Sequence, residues 1–591
     1  MKRIRFVSRW LPILIIAALA ASGQASVKPL LDSLNESGDL RKKADLPRQI
    51  LIAGMSSGEA QTARDGLSDF LVRTYTAKRD LQSTRLTVLS GTADAMTCLK
   101  QWKDTQIRDD VLKWMFASNE RMRSLAAIVH AKDDLSAAVK HIESLHDADP
   151  KGRDGFFKLI MALALVWDQQ RPRIHSQMGY GPPMDDTTMQ QRYEFFSDVY
   201  ATGYRKSILD RSSIRDLMFV VDVPVAMSEL EWARKNVKGS ATSWKKRHSE
   251  IVYDKKRMND GVRNWPHGTY TLAAIKEKGG ICTDQAYYAV LSARANGIPA
   301  VFFRGTGRRG GHAWFAYSKS ANTWEMDIGR YTFDKYTIGY ATDPQTNSKM
   351  TDHQIDYLCD SSFRTRQYEQ ASQYTRIADV LLERRKYAEA VEAASAARRL
   401  VKKYERPWLI ELMALKAIPK LDRAALLLDQ KAKVFSKYHD IRTNAREEQA
   451  ELLEKLGRNA EAERILDALV RRVGRDRHDL AESITMKRVE KAVAAGQGKK
   501  ARSLLEDLLE GQADGGEKVL PLLRNYLGTT KQIGQTKEAA RFLSSYVKRI
   551  RTSGVKDMRP FLQIQLQAHE NDNDTKGAAR VQRDIDRLRA Y

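Results

Sequence analysis

The chain has 591 residues, a formal charge of +25 and only three cysteines, Cys98, Cys282 and Cys359. That length calls for several domains, and the cysteine count excludes a disulfide scaffold, which packs more cysteines into a shorter chain. The cations are scattered among acidic residues in helical segments, so the excess attracts polyanions in general and reads as a solvated surface, with no specific nucleic-acid partner.

The first residues, MKRIRFVSRWLPILIIAALAASGQAS, place four cations (Lys2, Arg3, Arg5, Arg9) before an apolar run from Leu11 to Ala21, with small residues to Ala25. This is the pattern of a signal peptide over residues 1–25, cleaved after Gly23-Gln24-Ala25. The run is short for a bilayer span, which takes about 20 residues. No later stretch is long and apolar enough to span. The expectation is an exported protein, periplasmic or extracellular, with no transmembrane span after the leader is removed.

Residues 26–240 read as an N-terminal helical region. DDVLKWMFASNERMRSLAAIVH and GRDGFFKLIMALALVWDQQ carry apolar residues at three- and four-residue steps, the period of a packed helix. Gly179, Gly181, Pro182 and Pro183 interrupt it. His175, in RPRIHSQ, reads as part of a polar turn with no chemical role.

The pattern changes in residues 241–365. From Cys282, the positions Ala286, Ala289, Val290 and Ala293 share one helical face. Gly279-Gly280 leads in, and Asn296-Gly297 followed by Pro299 stops the helix. Cys282 therefore sits in the first turn, where main-chain amides and the helix dipole favour a thiolate. Asp284 opposes this but projects away from Cys282 on the helical wheel. A buried, inert cysteine is the competing reading.

A short strand, AVFFR, precedes RGTGRRGGHAWFAY, residues 304–317. Gly305, Gly307 and Gly310 spell the G-x-G-x-x-G of a dinucleotide loop. That motif needs a helix after its glycines, and here they lead into a second strand, HAWFAY. The phosphate reading fails, and the glycines keep a loop slim beside His312. HAWFAY and TWEMD read as a hairpin joined by SKSAN. Folding about the Lys319–Ser320 bond sets His312 opposite Asp327, with Cβ atoms about 5 Å apart, near enough for the carboxylate to hold an imidazole N–H.

From 368 to 591 the chain is helical and repetitive. A short turn followed by a small residue recurs at Ala390, Ala424, Ala462, Ala501, Ala539 and Ala578, at steps of 34, 38, 39, 38 and 39. The pattern is that of tetratricopeptide-like helical hairpins in an α-solenoid, a form that docks partners on a concave face or serves only as a packing scaffold. DNDTKG, Asp572 to Gly577, imitates the start of a calcium loop, but Arg583 stands where the bidentate Glu belongs. The segment reads as a turn.

GGICTDQAYYAVLSARANGIPAVFF, GGHAWFAY and WEMDIGRY, with a trailing DPQT at 343–346, resemble the Cys, His and Asp motifs of the transglutaminase-like superfamily. The resemblance covers roughly residues 260–345 and implies a papain-like α+β core between two helical regions. It also implies catalytic roles: Cys282 the nucleophile, His312 the general base and acid, Asp327 the residue that orients His312. The thiolate would attack an amide carbonyl and form a thioester. Water would then complete a peptidase or amidase cycle, and a primary amine an acyltransferase cycle. Protein or cell-wall peptide is the expected substrate. No cofactor or metal is expected, since no counterpart of the animal enzymes' calcium sites is identified.

One oxyanion donor would be the Cys282 N–H. Lys276 stands six residues before the cysteine, where papain carries a Gln, and Trp265 and Tyr270 are the other donors considered, though both read better as core aromatics. Arg304, Arg308 and Arg309 flank the loop and would draw acidic substrates, or are simply solvated. The alternative to an enzyme is a helical-repeat binding scaffold with a degenerate core.

Overall fold

The computed structural model describes the chain from Ser26 to Arg589 except residues 78–80, 180–186, 202, 308–309, 321–322, 331–337, 475–476, 513–514 and 553–556. The leader, the Gly181–Pro183 break and Arg308 and Arg309 lie outside the described residues. The protein is mostly helical with one small antiparallel sheet, and no described helix is long and apolar enough to cross a membrane. It divides into two compact units, the first built from residues up to 304, 312–330 and 339–420, the second centred on 421–591.

The first unit is assembled around helices with no polar face. Phe157–Val166, FKLIMALALV, has every residue but Lys158 buried, and a helix apolar all round belongs inside a core. It packs on Ile214–Val221, whose Phe219 reaches the sheet.

That sheet has the order β3-β2-β1-β4-β5. Its strands are β1 (Ala300–Gly307), β2 (Gly310–Ser320), β3 (Thr323–Ile328), β4 (Tyr340–Thr342) and β5 (Lys349–Thr351). The side chains of a strand alternate between faces. Val301, Phe303, Trp314, Ala316 and Ala341 gather on one face with Phe219 and Ile355. Phe302 and Phe315 occupy other positions in that alternation and meet His175 and His248.

The hairpin forms, but in a different register from the one expected. Phe315 pairs with Ile328, Tyr317 with Glu325, Ser318 with Trp324 and Ser320 with Thr323. The strands turn after Ser320, not at the Lys319–Ser320 bond. Ala316 faces both Met326 and Asp327, because β3 carries one residue more than β2 between the flanking pairs. Such a bulge bends the strand and redirects a side chain. Asp327 takes the left-handed φ of +59° there, a conformation Asp tolerates better than most residues.

Helices after 368 do not all belong to one body. Arg366–Glu383 packs on Ser83–Trp102, and ion pairs knit the two regions: Arg376 with buried Asp94 at 2.5 Å, Arg384 with Asp65 at 2.8 Å. The helices from Leu421 onward make the second unit.

Successive hairpins there pair His439–Lys455 with Asn459–Val473, His478–Ala494 with Gly498–Gly511, and Leu520–Gln532 with Thr536–Thr552. Arg559–Asn571 with Thr575–Arg589 is the last. In each second helix, and in Tyr387–Leu400 and Leu421–Val434, the recurrent alanine is the fourth residue. Ala390, Ala424, Ala462, Ala501 and Ala539 are buried, and Ala578 in the terminal hairpin is half-buried. A methyl there allows close helix approach. DNDTKG is the turn before the last helix, with Asp574 accepting from the Gly577 N–H at 2.9 Å.

Ala501→Leu inserts three carbons into a filled site and is expected to destabilise the protein by roughly 1–3 kcal/mol in urea unfolding. Ala578→Leu is expected to cost under about half of that.

Candidate active site

The helix Cys282–Ala295 ends at Asn296, as its stop signals require. All of its residues except Thr283 are buried. Its start is held by a tight crossing. Gly280 donates to Val252 O at 2.9 Å, Asp254 donates back to Gly280 O at 3.0 Å, and the Gln285 side chain donates to Ile251 O at 2.8 Å. Gly279 has φ +78°, and a Cβ on it would lie 2.5 Å from Val252 O. That position admits only glycine.

Asp284 caps the helix by accepting from the Ile281 N–H at 2.8 Å. It is fully buried, and it takes Arg257 Nη1 at 2.7 Å and the Tyr270 hydroxyl at 2.8 Å. Burial lifts its carboxyl above the ordinary value, with Arg257 pulling the other way. The sequence reading has Asp284 only as a charge opposing the thiolate; in the structure it is a neutralised structural anchor. Arg257 in turn donates to Gln177, Arg263 O and Val262 O, closing the network.

Cys282 is 8% exposed. Burial pushes its thiol up, while the Ala313 and Thr283 N–H groups directed at the sulfur pull it down. β2 thus crosses the helix start one residue after His312. The His312 ring is buried, lies 5.7 Å from the Trp314 ring, and places Nε2 2.8 Å from Gly329 O. A carbonyl can only accept, so Nε2 carries the proton and Nδ1 is the lone-pair nitrogen of the neutral ring.

The structure brings Cys282 and the His312 segment together. It does not bring Asp327 to the imidazole. The Asp327 side chain, half exposed, accepts from Arg330 Nη1 at 3.0 Å, and Arg330 also binds buried Asp352 at 3.0 Å. The bulge and shifted register are the reason, and a main-chain carbonyl stands where the carboxylate is expected.

One histidine has no place in the sequence reading, and a second sits differently from its expectation. His248 stacks on Phe315 with ring centroids 6.1 Å apart. Its Nε2 is buried with no hydrogen-bond partner among the described residues, and a Cβ on Gly329 (φ +85°) would come within 2.3 Å of it. Gly329 therefore lies between the two imidazoles, its carbonyl on one and its Cα beside the other. Burial and the neighbouring His312 push His248 down to about 4. No sequence signal singles it out in KKRHSE.

His175 is not in a polar turn. It is buried against Tyr270, Tyr287 and Phe302, with Nδ1 accepting from the Gln177 N–H at 3.3 Å. Burial, then Arg304, lowers it to about 3.

Of the other donors considered, Tyr270 is committed to Asp284, and Trp265 Nε1 is buried without a hydrogen bond among the described residues. Lys276 reaches Glu250 at 3.5 Å. Asp110, His146 and Asp147 converge within 4.8 Å, but Arg108 already binds both carboxylates.

No family model and no curated protein matches this chain. Among solved structures it is similar to a circular tandem repeat protein with novel repeat topology and enhanced subunit contact surfaces, at 10% identity over 93% of this chain and 95% of that one. The TM-score is 0.11, too low for that likeness to describe the fold.

Gly279→Ala is expected to cost about 2 kcal/mol in urea unfolding, the scale of strained backbone. Unfolded His175 takes a proton near pH 6.5, and the folded side chain only near 3. Its contribution to stability is complete above pH 6.5 and is lost as pH falls toward 3. Stability measured between pH 4 and 6 is expected to fall less steeply in His175→Phe, by up to about 1.4 kcal/mol per pH unit.

Proposed function

We propose that the protein is an exported cysteine enzyme acting on amide bonds of protein or cell-wall peptide, with a transglutaminase-like, papain-like core. The observation that carries this reading is the approach of β2 to the start of the Cys282 helix, with the Ala313 N–H acting on the sulfur and the preceding residue, His312, buried.

In the proposed cycle the thiol proton passes to His312 Nδ1 as sulfur attacks the amide carbon. The tetrahedral intermediate collapses, the proton moves from His312 to the leaving amine, and an acyl thioester remains. Water attack, with His312 again taking and returning the proton, releases the acid and restores the thiol. A primary amine in place of water gives transfer. The Cys282 N–H is the first donor for the oxyanion. The Gly329 carbonyl stabilises the imidazolium in the role usually given to a carboxylate. Asp327 takes that role only by leaving Arg330. The helical repeats serve for recruiting substrate or a protein partner.

Burial of Cys282 favours the second reading, a non-catalytic scaffold, because a thiol raised by desolvation is a poor nucleophile at rest. Labelling with a thiol-reactive probe separates the two. An enzyme labels at Cys282 faster than at half-buried Cys359 or buried Cys98, and a scaffold does not.

Thiol-dependent amide turnover is expected to vanish in folded Cys282→Ala and to fall about 10²–10⁴-fold in His312→Ala. Asp327→Ala is expected to lose less than about tenfold, since it removes no hydrogen bond to the imidazole. Parent-level turnover by Cys282→Ala overturns the proposal. Amine incorporation measured against ammonia or peptide release assigns transferase or hydrolase.

A further inference from the structure

A cavity of about 40 Å³ opens beside the paired strands β1 and β4, lined by Arg171, Arg173, Arg294, Arg304 and Thr342, with Asp222 as the one acidic group among the described lining residues. A single water needs ~10–15 Å³, so the space suits a group of a few heavy atoms. Arginine stays protonated throughout the working pH range, and the lining therefore carries four cations against one anion.

Its floor is built and buried. Arg171 and Arg294 are 3% and 4% exposed and share Asp222. Arg171 donates Nε and Nη2 to Oδ1 at 2.8 Å, and Arg294 Nη1 lies 3.2 Å from Oδ2. Arg294 Nε donates to Ala300 O at 3.1 Å, and its Nη2 meets no acceptor among the described residues. Two buried guanidiniums on one carboxylate leave a positive charge uncompensated, and that is costly without a further counterion. At the mouth Arg173 donates to Met178 O. Exposed Arg304 makes no hydrogen bond or ion pair among the described residues.

We propose that this cavity binds a small oxyanion, a carboxylate or a phosphate group, on Arg294 Nη2 and the planar donor fork of Arg304, the geometry arginine offers to both groups. Volume limits the occupant to the anionic head, and any remainder of the ligand leaves past exposed Arg304. The site does not depend on the amide chemistry proposed for Cys282, so it is tested separately.

Thermal unfolding of the full chain is followed while inorganic phosphate or acetate replaces chloride at constant ionic strength. The expected result is a saturating rise in Tm with one of the two, unchanged in Cys282→Ala and with at least tenfold weaker half-saturation in Arg304→Gln. Arg304 is exposed and makes no hydrogen bond or ion pair among the described residues, so its replacement leaves the fold intact. Saturation by phosphate or by acetate names the ligand chemistry. A rise that stays linear in both anions is the general effect of excluded salts, and that result, or equal saturation in Arg304→Gln, overturns the site.

Discussion

The region around the sulfur depends on one buried carboxylate. Asp284 sits in the first turn of a helix that is itself interior, where a charge survives only if it is paired and fully hydrogen-bonded. It satisfies that demand by taking the Ile281 N–H, Arg257 and Tyr270 together. Each partner belongs to a different segment, so the single requirement positions the helix start, the 251–263 segment and the aromatic wall containing His175. Remove the carboxylate and Arg257 is left as an unpaired buried cation.

Electrostatically the candidate site disfavours charge on the Cys282 sulfur and on His248. Desolvation raises the Cys282 thiol and depresses His248. The same desolvation strengthens every dipole that remains; those acting on the sulfur are the Ala313 and Thr283 N–H groups and the Thr283 side chain, and the main-chain pair requires no reorganisation as charge develops. The Gly329 carbonyl does the complementary work at His312. In the proposed cycle a thiolate and an imidazolium would gain from each other what neither gains alone.

Some of this was legible in the sequence, and the reasons are local. The Cys282 helix is bracketed by Gly-Gly and by Asn-Gly-Ile-Pro, signals that act within a turn of the residues they punctuate. The alanine repeat was legible because close helix packing demands a small side chain at a fixed place, here the fourth residue of each second helix. The hairpin register was not, since SKSAN carries no turn dipeptide that fixes loop length, and the bulge at Met326–Asp327 has no local marker. β4 and β5, at three residues each, are too short to show a period. His175 and His248 became buried through tertiary packing alone. The division near Leu421 was hidden for the same reason: Arg366–Leu400 has the repeat's pattern, but it and the following turn also form ion pairs with residues some three hundred positions earlier, Arg376 with Asp94 and Arg384 with Asp65.

Those ion pairs point to a rule for the first unit. Asp94, Asp216, Asp222, Asp284 and Asp343 are each at most 8% exposed, and each meets an arginine from elsewhere in the chain: Arg376, Arg364, Arg171, Arg257 and Arg215 at 2.5–3.0 Å. Such pairs add little net stability over apolar contacts, yet breaking one strands a charge at a cost of about 3–5 kcal/mol. They therefore act against alternative packings more than for the native one. Apolar helices can slide along one another with small loss, whereas a buried carboxylate needs its donors at fixed positions. In a unit made of many short helices with similar apolar faces, such pairs restrict how the helices around Cys282 can pack. Arginine fills this role because its planar fork matches a carboxylate in a dry interior.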